Sequence, residues 1–472
     1  MTKILFKKAI VLASILIFLM SSILPAISSE QILNKSEKIE EEADLLDLLI
    51  IAPKSFSRTL KPLVCHKNSF GVRTKLVTLE YIYKTNMIGF DKAEKIKLFI
   101  KDALDESGIK YVLLVGGIKR PFSFKEVYWL PVRYIHIEDR WSGFAGNYNE
   151  PKYLSDLYFA DIYDSEGNFS SWDTDGDGIY GEWNDNRSAD DILDIKPDVS
   201  VGRLPVRNRF ELRIMVNKII NYEKCNKTGS EWFNKMMLVA GDTYEGDDYE
   251  GESETQEALD VMPGFEPIKL WCSEGNLTGP QDVITNLNNG CGFLYFAGHG
   301  SPFCWGTNDP ITEKFVYGLK NIHMRKLKNG YKLPVCVVGG CHNSLFNVSF
   351  FHTTWHGGFP VYECFSWHLT KKYKGGSIAT LGNTALGYGA KDKLDPSSGG
   401  GGGPLTTFFF ESYGINNSEY LGDMWSDAIT NYASEFTIRW DENSYNDSSI
   451  DAKTVTQWVL FGDPSLKIGG YS

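Results

Sequence analysis

The stretch Asp91–Gly117, DKAEKIKLFIKDALDESGIKYVLLVGG, contains a complete helix followed by a complete strand. Its first residue and Glu94 have the spacing of a helix-capping box. The apolar residues of 96–104 recur at the interval of one helix face, and Gly108 predicts the end of the helix. The following run, Lys110–Val115, predicts a buried strand that a pair of glycines terminates.

The same alternation of strands and helices recurs on both sides of this stretch. The continuous apolar run Leu45–Ala52 precedes it, and Val199–Val206 is followed by a second capping-box pattern and helix. Four apolar runs that predict further strands are Met236–Ala240, Phe293–Ala297, Leu333–Val338 and Ser377–Leu381. Strands that alternate with helices predict an α/β fold with a mainly parallel sheet.

The first residues are typical of an export signal. Lysines at positions 3, 7 and 8 precede an apolar run to about Leu24, and small residues follow. This order predicts a signal peptide over residues 1–29, with an uncleaved N-terminal anchor as the alternative. We expect the protein to be secreted, extracellular or at the cell surface. We predict an N-terminal α/β subdomain over residues 30–228 and a second α/β subdomain over 229–472.

Composition narrows the classes of partner. The 472 residues include 48 Lys and Arg and 60 Asp and Glu, a formal net charge of −12. An acidic surface disfavours binding to nucleic acid, and no second apolar stretch has the length of a membrane span. Eight cysteines in an exported chain are consistent with a disulfide framework, although a chain of this size does not require one.

Polar residues flanked by glycine follow four of the predicted strands: Asp242, His299, Cys341 and Asn383. The carboxyl ends of parallel strands form the usual ligand-binding edge of such a sheet. A thiol and an imidazole at this edge predict a nucleophile, Cys341, and its acid–base partner, His299. The backbone amides of Gly300 and Cys341 are candidates for an oxyanion hole. Cys341 or His299, considered alone, could instead be a residue that only packs at the end of its strand.

Several motifs carry a resemblance to a known family. Phe293–Ser301 (FLYFAGHGS) and Pro334–Asn343 (PVCVVGGCHN) resemble the histidine and cysteine motifs of gingipain-type peptidases, which belong to the same clan as caspases and legumains. Pro197–Val206 (PDVSVGRLPV), Lys110–Gly117 (KYVLLVGG) and Phe461–Leu466 (FGDPSL) are also similar to that family. The resemblance extends over about residues 45 to 468.

The resemblance implies a caspase-like three-layer αβα fold in two subdomains, with the catalytic dyad in residues 229–472. It implies a secreted cysteine endopeptidase that hydrolyses peptide bonds through a thioester acyl-enzyme. An acidic residue often orients the histidine in this family; Asp242 is our candidate and Glu245 the second choice. A turn-capping aspartate is the alternative role for Asp242. His342 is interpreted as a turn or pocket-wall residue rather than a base.

The family resemblance also points to a pocket for the residue before the scissile bond. The corresponding loop here is Gly382–Gly389 (GNTALGYG), which makes Asn383 and Tyr388 candidates for the pocket wall. The loop lacks the tryptophan of well-known members, so a preference for a basic residue does not follow. Four acidic side chains could hold such a residue: Asp247, Asp248, Glu252 and Glu254.

A second candidate site begins at Asp173, where the sequence DTDGDGI has the alternating carboxylates of a calcium loop. Asp173, Asp175 and Asp177 would offer side chains, and Ile179 its carbonyl oxygen. Position 12 of the loop is asparagine, so Glu182 or Asp185 would have to replace the usual glutamate. Because related peptidases carry structural calcium, we expect Ca²⁺ here and no organic cofactor; a solvated acidic turn is the alternative.

Two other functions are compatible with the same residues. One is a catalytically inactive, calcium-stabilised module that binds at a surface. The other is a transpeptidase that uses the same dyad and transfers the acyl group to an amine. For the preferred function, the expected partner is a protein or peptide substrate.

Overall fold

The computed structural model describes residues 45–85, 88–120, 122, 125–143, 146–244, 249–350, 361–389, 400–444 and 446–472. The predicted signal segment therefore lies outside the described residues, as do Glu245, Asp247 and Asp248. Leu46–Ser472 forms one unit. Within the described residues, no helix combines the length and apolar composition that a bilayer crossing requires.

The strands are β1 (Leu48–Ala52), β2 (Thr74–Thr78), β3 (Tyr111–Val115), β4 (Tyr134–Ile135), β5 (Asp139–Gly143), β6 (Gly146–Glu150), β7 (Tyr153–Leu154), β8 (Ser200–Leu204), β9 (Lys235–Ala240), β10 (Glu266–Trp271), β11 (Phe293–Ala297), β12 (His299–Ser301), β13 (Cys304–Asn308), β14 (Phe315–Lys320), β15 (Val335–Gly339), β16 (Ala379–Asn383) and β17 (Trp458–Phe461). The α-helices are α1 (Ser57–Ser69), α2 (Leu79–Thr85), α3 (Lys92–Ser107), α4 (Arg209–Glu223), α5 (Glu250–Asp260), α6 (Pro280–Asn289), α7 (Phe365–Thr370), α8 (Gly402–Gly414), α9 (Leu421–Glu435) and α10 (Asp447–Gln457).

The helix and strand of the opening stretch form as predicted. Asp91 caps α3: its Oδ1 accepts hydrogen bonds from the amides of Ala93 and Glu94, both at 2.9 Å. Gly108 ends the helix in the left-handed conformation, with φ of 61°. Every residue of β3 is buried, as expected for a strand covered on both faces.

A ten-stranded sheet organises the fold, in the order β10-β9-β11-β15-β16-β17-β8-β3-β1-β2. The neighbouring strands from β10 to β16 are parallel, as are those from β8 to β2. β17 is antiparallel to β16 and pairs with β8 only through Phe461 and Arg203. Helices flank this mostly parallel sheet, which confirms the predicted α/β class and caspase-like layering.

The two predicted subdomains share this sheet. The strands that precede residue 229 lie at one end, and β9, β10, β11, β15 and β16 lie at the other. β17, from the end of the chain, is inserted between the two groups. The subdomain boundary remains a prediction, because the sheet continues through both halves. A disulfide framework is not formed: all eight cysteines are free thiols.

Candidate active site

The nucleophile candidate lies in a tight turn at the end of β15, which stops two residues before Cys341. His342 adopts the left-handed conformation, with φ of 56°, which is uncommon for a residue with a side chain. Its amide donates to the carbonyl of Ala385 at 2.8 Å, and the amide of Ser344 donates to Asn383 at 2.8 Å. These bonds hold the strained turn against the end of β16.

The histidine candidate lies in the short hairpin β12–β13, which touches the cysteine turn. The amide of Gly298 donates to the carbonyl of Gly339 at 3.0 Å. Asn343 Nδ2 donates to the carbonyls of Ser301 at 2.8 Å and Cys304 at 2.9 Å. A Cβ added to Gly300 would lie 2.0 Å from Asn343 Oδ1, so the contact leaves no room for a side chain. The two turns are therefore joined through Asn343, whose role the sequence analysis did not identify.

The ring of His299 is held by the backbone of a neighbouring loop. Burial lowers the pKa of His299, and a hydrogen bond from the ring to the carbonyl oxygen of Thr243 offsets part of this effect. Thr243 follows Asp242, which is buried and whose amide and carbonyl both pair with Asn308 at 3.0 Å. The orienting group that the structure describes is thus the Thr243 carbonyl, and a role for the Asp242 carboxylate remains a prediction.

Burial favours the protonated form of the Cys341 thiol. Burial raises its pKa above the ordinary value, although hydrogen bonding with the backbone of Gly387 opposes the shift. The sulfur lies 3.8 Å from the Gly387 carbonyl oxygen. A raised thiol pKa and a lowered imidazole pKa both favour the neutral forms, which corresponds to a nucleophile that needs a general base.

The amide of Cys341 has no backbone acceptor among the described residues. The amides on either side are used, since Gly340 donates to Val338 at 3.2 Å and His342 to Ala385. Gly300 is paired with Trp305 in the hairpin. The oxyanion-hole assignment stays a prediction.

The loop after β16 contains the two predicted pocket residues. Asn383 is buried, with 3% of its surface exposed, and its Nδ2 donates to the carbonyl of Gly340 at 3.3 Å. Asn383 therefore contacts the cysteine turn, and its assignment to the pocket wall stays a prediction. Tyr388 is partly exposed and its hydroxyl donates to Asp139.

A buried ionic cluster of Asp139, Glu150, His342 and Lys453 contacts both this loop and the cysteine turn. Glu150 accepts from His342 Nε2 at 2.8 Å, from Lys453 Nζ at 2.8 Å and from the amide of Leu386 at 3.1 Å. Lys453 also contacts Asp139 at 2.5 Å. His342 is thus a turn residue anchored by a carboxylate, as interpreted from the sequence. Its partners come from distant segments, and no sequence motif indicated them.

The described acidic candidates for the substrate pocket differ in placement. Glu252 accepts from the amide of Ser273 at 2.9 Å and from its hydroxyl, so its carboxylate is committed to that turn. Glu254 lies beside the loop, since a Cβ added to Gly389 would be 3.6 Å from its Oε1. Tyr244 fixes the same end of the loop by hydrogen bonds of 3.0 and 3.1 Å with the backbone of Gly389.

A comparison with family models identifies the chain. The model described as peptidase family C25 matches residues 42–469, which include the cysteine and histidine turns and the whole ten-stranded sheet. The chain belongs to peptidase family C25. This assignment makes it a cysteine-type peptidase by family and confirms the resemblance carried by its motifs.

The curated relatives of this family C25 chain are longer than the chain itself. Gingipain R2 from one strain of Porphyromonas gingivalis is 23% identical over 320 residues, which cover 66% of this chain and 34% of the relative. Gingipain R2 from a second strain is 21% identical over 435 residues, 91% of this chain and 46% of the relative. The chain therefore spans about a third to a half of these relatives.

Solved structures show the same fold. The crystal structure of the Arg-specific cysteine proteinase gingipain R has a TM-score of 0.59 and 20% identity, with 90% of this chain and 79% of that chain covered. The complex of the pro- and mature domains of RgpB from Porphyromonas gingivalis also has a TM-score of 0.59, with 19% identity over 89% and 79% of the two chains. At these identities the likeness is evidence for the fold alone.

The predicted calcium loop of this C25 member brings its three aspartates together. One carboxylate oxygen from each of Asp173, Asp175 and Asp177 lies within 4.8 Å of the others. Asp173 Oδ1 is buried and, among the described residues, has no hydrogen-bond partner. Glu182 has a raised pKa because of burial and the neighbouring acids, although its Oε1 accepts from Asn184 at 2.7 Å. The donor set fits a hard divalent cation.

Proposed function

We propose that this chain is a cysteine endopeptidase in which Cys341 is the nucleophile and His299 the general base and acid. The observation that carries the proposal is the contact between the two turns, in which Asn343 of the cysteine turn donates to two carbonyls of the histidine hairpin. Family C25 membership supports the reaction class.

In the proposed reaction, neutral His299 accepts the thiol proton as the sulfur attacks the carbonyl carbon of the scissile bond. The amides of Cys341 and Gly300 would donate to the oxyanion. The imidazolium then protonates the departing amine, which leaves a thioester on the sulfur. His299 next takes a proton from water, whose oxygen attacks the thioester; the carboxylic acid is released and the thiol is restored.

The test is a comparison of wild type with Cys341→Ala and with Cys65→Ala, which removes an exposed free thiol elsewhere. Only Cys341→Ala should abolish peptide hydrolysis and labelling by a thiol-directed peptide electrophile. Turnover retained in Cys341→Ala would exclude this residue as the nucleophile. Labelling of the wild type also separates an active peptidase from an inactive binding module.

For the substrate we propose a protein or peptide with a basic residue before the cut. Glu254 supports this choice because its carboxylate lies next to the pocket loop. A cleavage profile on a peptide library should favour Lys or Arg, and Glu254→Gln should weaken that preference. Glu257→Gln, on an exposed position of the same helix, is the matched control. An unchanged preference in Glu254→Gln would refute the pocket assignment.

We also propose a structural Ca²⁺ held by Asp173, Asp175, Asp177 and the Ile179 carbonyl, with Glu182 or Asp185 completing the shell. The ion would supply positive charge that neutralises converging carboxylates and stiffens the loop. Gly176 and Gly178, at φ of 76° and 87°, allow the chain to curl around that centre.

We also propose that the protein is exported, because residues 1–29 have the sequence pattern of a signal peptide. The N-terminal sequence of the protein recovered from culture medium or cell surface should begin after the small residues near position 29. Recovery of the full-length chain with the soluble cytosolic fraction would refute export.

A further inference from the structure

A basic cavity lies between the first turns of α1 and α4, away from the catalytic residues. Its volume is about 770 Å³, and four cationic side chains line it: Lys54, Arg58, Arg209 and Arg213. All four residues are exposed. Because the chain carries a net charge of −12, such a concentration of positive charge on its surface is unexpected.

These cations are not neutralised within the described structure. No described carboxylate forms an ion pair with any of the four side chains. Arg209 donates through Nε to the backbone carbonyl of Ser55 at 2.9 Å, which leaves its terminal nitrogens for other acceptors. Glu80 is nearby, but its carboxylate accepts from the backbone amide of Lys54, at 2.9 Å. Among the described residues, no side-chain ion pair therefore offsets the repulsion among the four charges.

Two of the cations lie one helical turn apart in α4. Arg209 and Arg213 are four residues apart, and like charges at this spacing in a helix repel each other. Lys54, just before α1, and Arg58, in the first turn of α1, add positive charge to the same cavity. An anion in the cavity would relieve the repulsion.

The turn that leads into α4 contacts the segment that follows Cys341. Arg207, two residues before α4, contacts Glu363 at 3.9 Å and donates to the carbonyl of Val348 at 3.5 Å. Across the sheet, β8 lies three strand positions from β15 and β1 lies five. At about 4.8 Å per strand, the strands that precede α4 and α1 are therefore offset from β15 by about 14 to 24 Å.

We propose that this basic cavity is an exosite that binds acidic side chains of a polypeptide substrate. The inference rests on the proposed peptidase function. An extended peptide spans about 3.3 Å per residue, so acidic residues that reach the cavity would lie at least about four positions from the scissile bond. Arginine pairs with carboxylates through two parallel hydrogen bonds, which suits three of the four cations.

A short acidic segment fits the charge distribution better than a long polyanion. A nucleic acid or an anionic membrane would extend beyond the cavity onto a surface of net negative charge, where repulsion opposes binding. A segment with two or three carboxylates would occupy the cavity alone. The negatively charged surface outside the cavity would repel acidic residues of a substrate. The exosite would therefore favour substrates whose acidic residues lie at one particular distance from the scissile bond.

Direct binding is the decisive measurement, and it does not require activity. A fluorescent peptide with three consecutive glutamates is titrated into Cys341→Ala protein and into the same protein with Arg58→Gln and Arg213→Gln. No hydrogen bond or ion pair to a described residue is lost with either arginine, so folding should be preserved; melting temperature checks this. Arg325→Gln with Lys326→Gln, two exposed cations elsewhere, is the charge-matched control.

We expect the paired arginine substitutions to weaken peptide binding at least tenfold and the control by less than threefold. Equal weakening in both, or no change in either, would overturn the exosite. Inorganic phosphate and an anionic vesicle are tested as competitors of the peptide. If the vesicle binds in a manner that depends on the two arginines and the peptide does not bind, the exosite proposal is also overturned. Absence of peptide hydrolysis by the wild type would instead refute the proposed function. The two failures can be told apart because peptide binding is measured in a variant that does not need to hydrolyse the peptide.

Discussion

The carboxylate of Glu150 offers a quantitative test of how the catalytic turn is supported. Burial by itself raises its pKa, but the charge of Lys453 and the hydrogen bond from His342 outweigh burial and lower the pKa to about 2, from an ordinary value of 4.5. Each pKa unit corresponds to about 1.4 kcal/mol, so the ionised form stabilises the fold by about 3 kcal/mol at neutral pH. Removal of one partner from a buried ion pair costs a similar amount, about 3 to 5 kcal/mol.

The perturbation is Glu150→Gln, made in the Cys341→Ala background to prevent self-digestion. We expect the free energy of unfolding, measured with urea at pH 7, to fall by about 3 kcal/mol. Glu419→Gln is the control, since its ion pair with Lys467 is exposed and worth at most about 1 kcal/mol.

The pH dependence has a defined sign. Because the pKa of Glu150 is lowered on folding, its contribution is complete above about pH 4.5 and is lost as the pH falls towards 2. The difference between the parent and Glu150→Gln should therefore be constant above pH 4.5 and shrink below it. In the background with Cys341 intact, kcat should also fall, since His342 and Leu386 would lose their anchor. Equal unfolding energies for parent and variant at pH 7 would refute the reasoning.

Three further predictions follow from the same geometry. Because burial lowers the pKa of His299, kcat/KM should stay high below pH 6.5 and fall only at more acidic pH; a midpoint at or above 6.5 would contradict this. Chelator should lower the melting temperature of the wild type but not of Asp175→Asn, and an unchanged wild-type melt would remove the calcium site. Gly300→Ala should reduce kcat at least tenfold by displacing Asn343, whereas Gly279→Ala, which has open space, should not.

Local patterns in the sequence were sufficient for the buried parallel strands and the capped helix, but not for β17, whose four residues are also buried. β3, β11 and β15 are apolar throughout because both faces are covered, and such runs can be recognised without knowing their neighbours. β2 and β10 were not predicted. Both lie at the edges of the sheet, where a face or side exposed to water permits the polar residues that their sequences contain.

The residues of the candidate site also fall into those that local sequence patterns indicated and those that they did not. The cysteine and histidine turns were recognisable because glycine flanks a reactive side chain directly after a buried strand, so the motif is contiguous. Glu150, Lys453 and Thr243 were not, since each reaches the site through a contact with a residue far away in the chain. The end of β16 at Asn383, two residues beyond the predicted strand, was not recognised because the register of β16 depends on its partners in the sheet.

Local composition thus predicted the buried parallel strands, the capped helix and the candidate cysteine and histidine turns of this protein. The order of the strands was decided only by tertiary packing, including the insertion of β17 between the two halves of the sheet. The ionic cluster beneath Cys341 and the basic cavity likewise exist only in the folded chain. The physical reason is that hydrophobic periodicity acts over a few residues, whereas charge and hydrogen bonding act between whichever groups the folded sheet brings within a few ångströms.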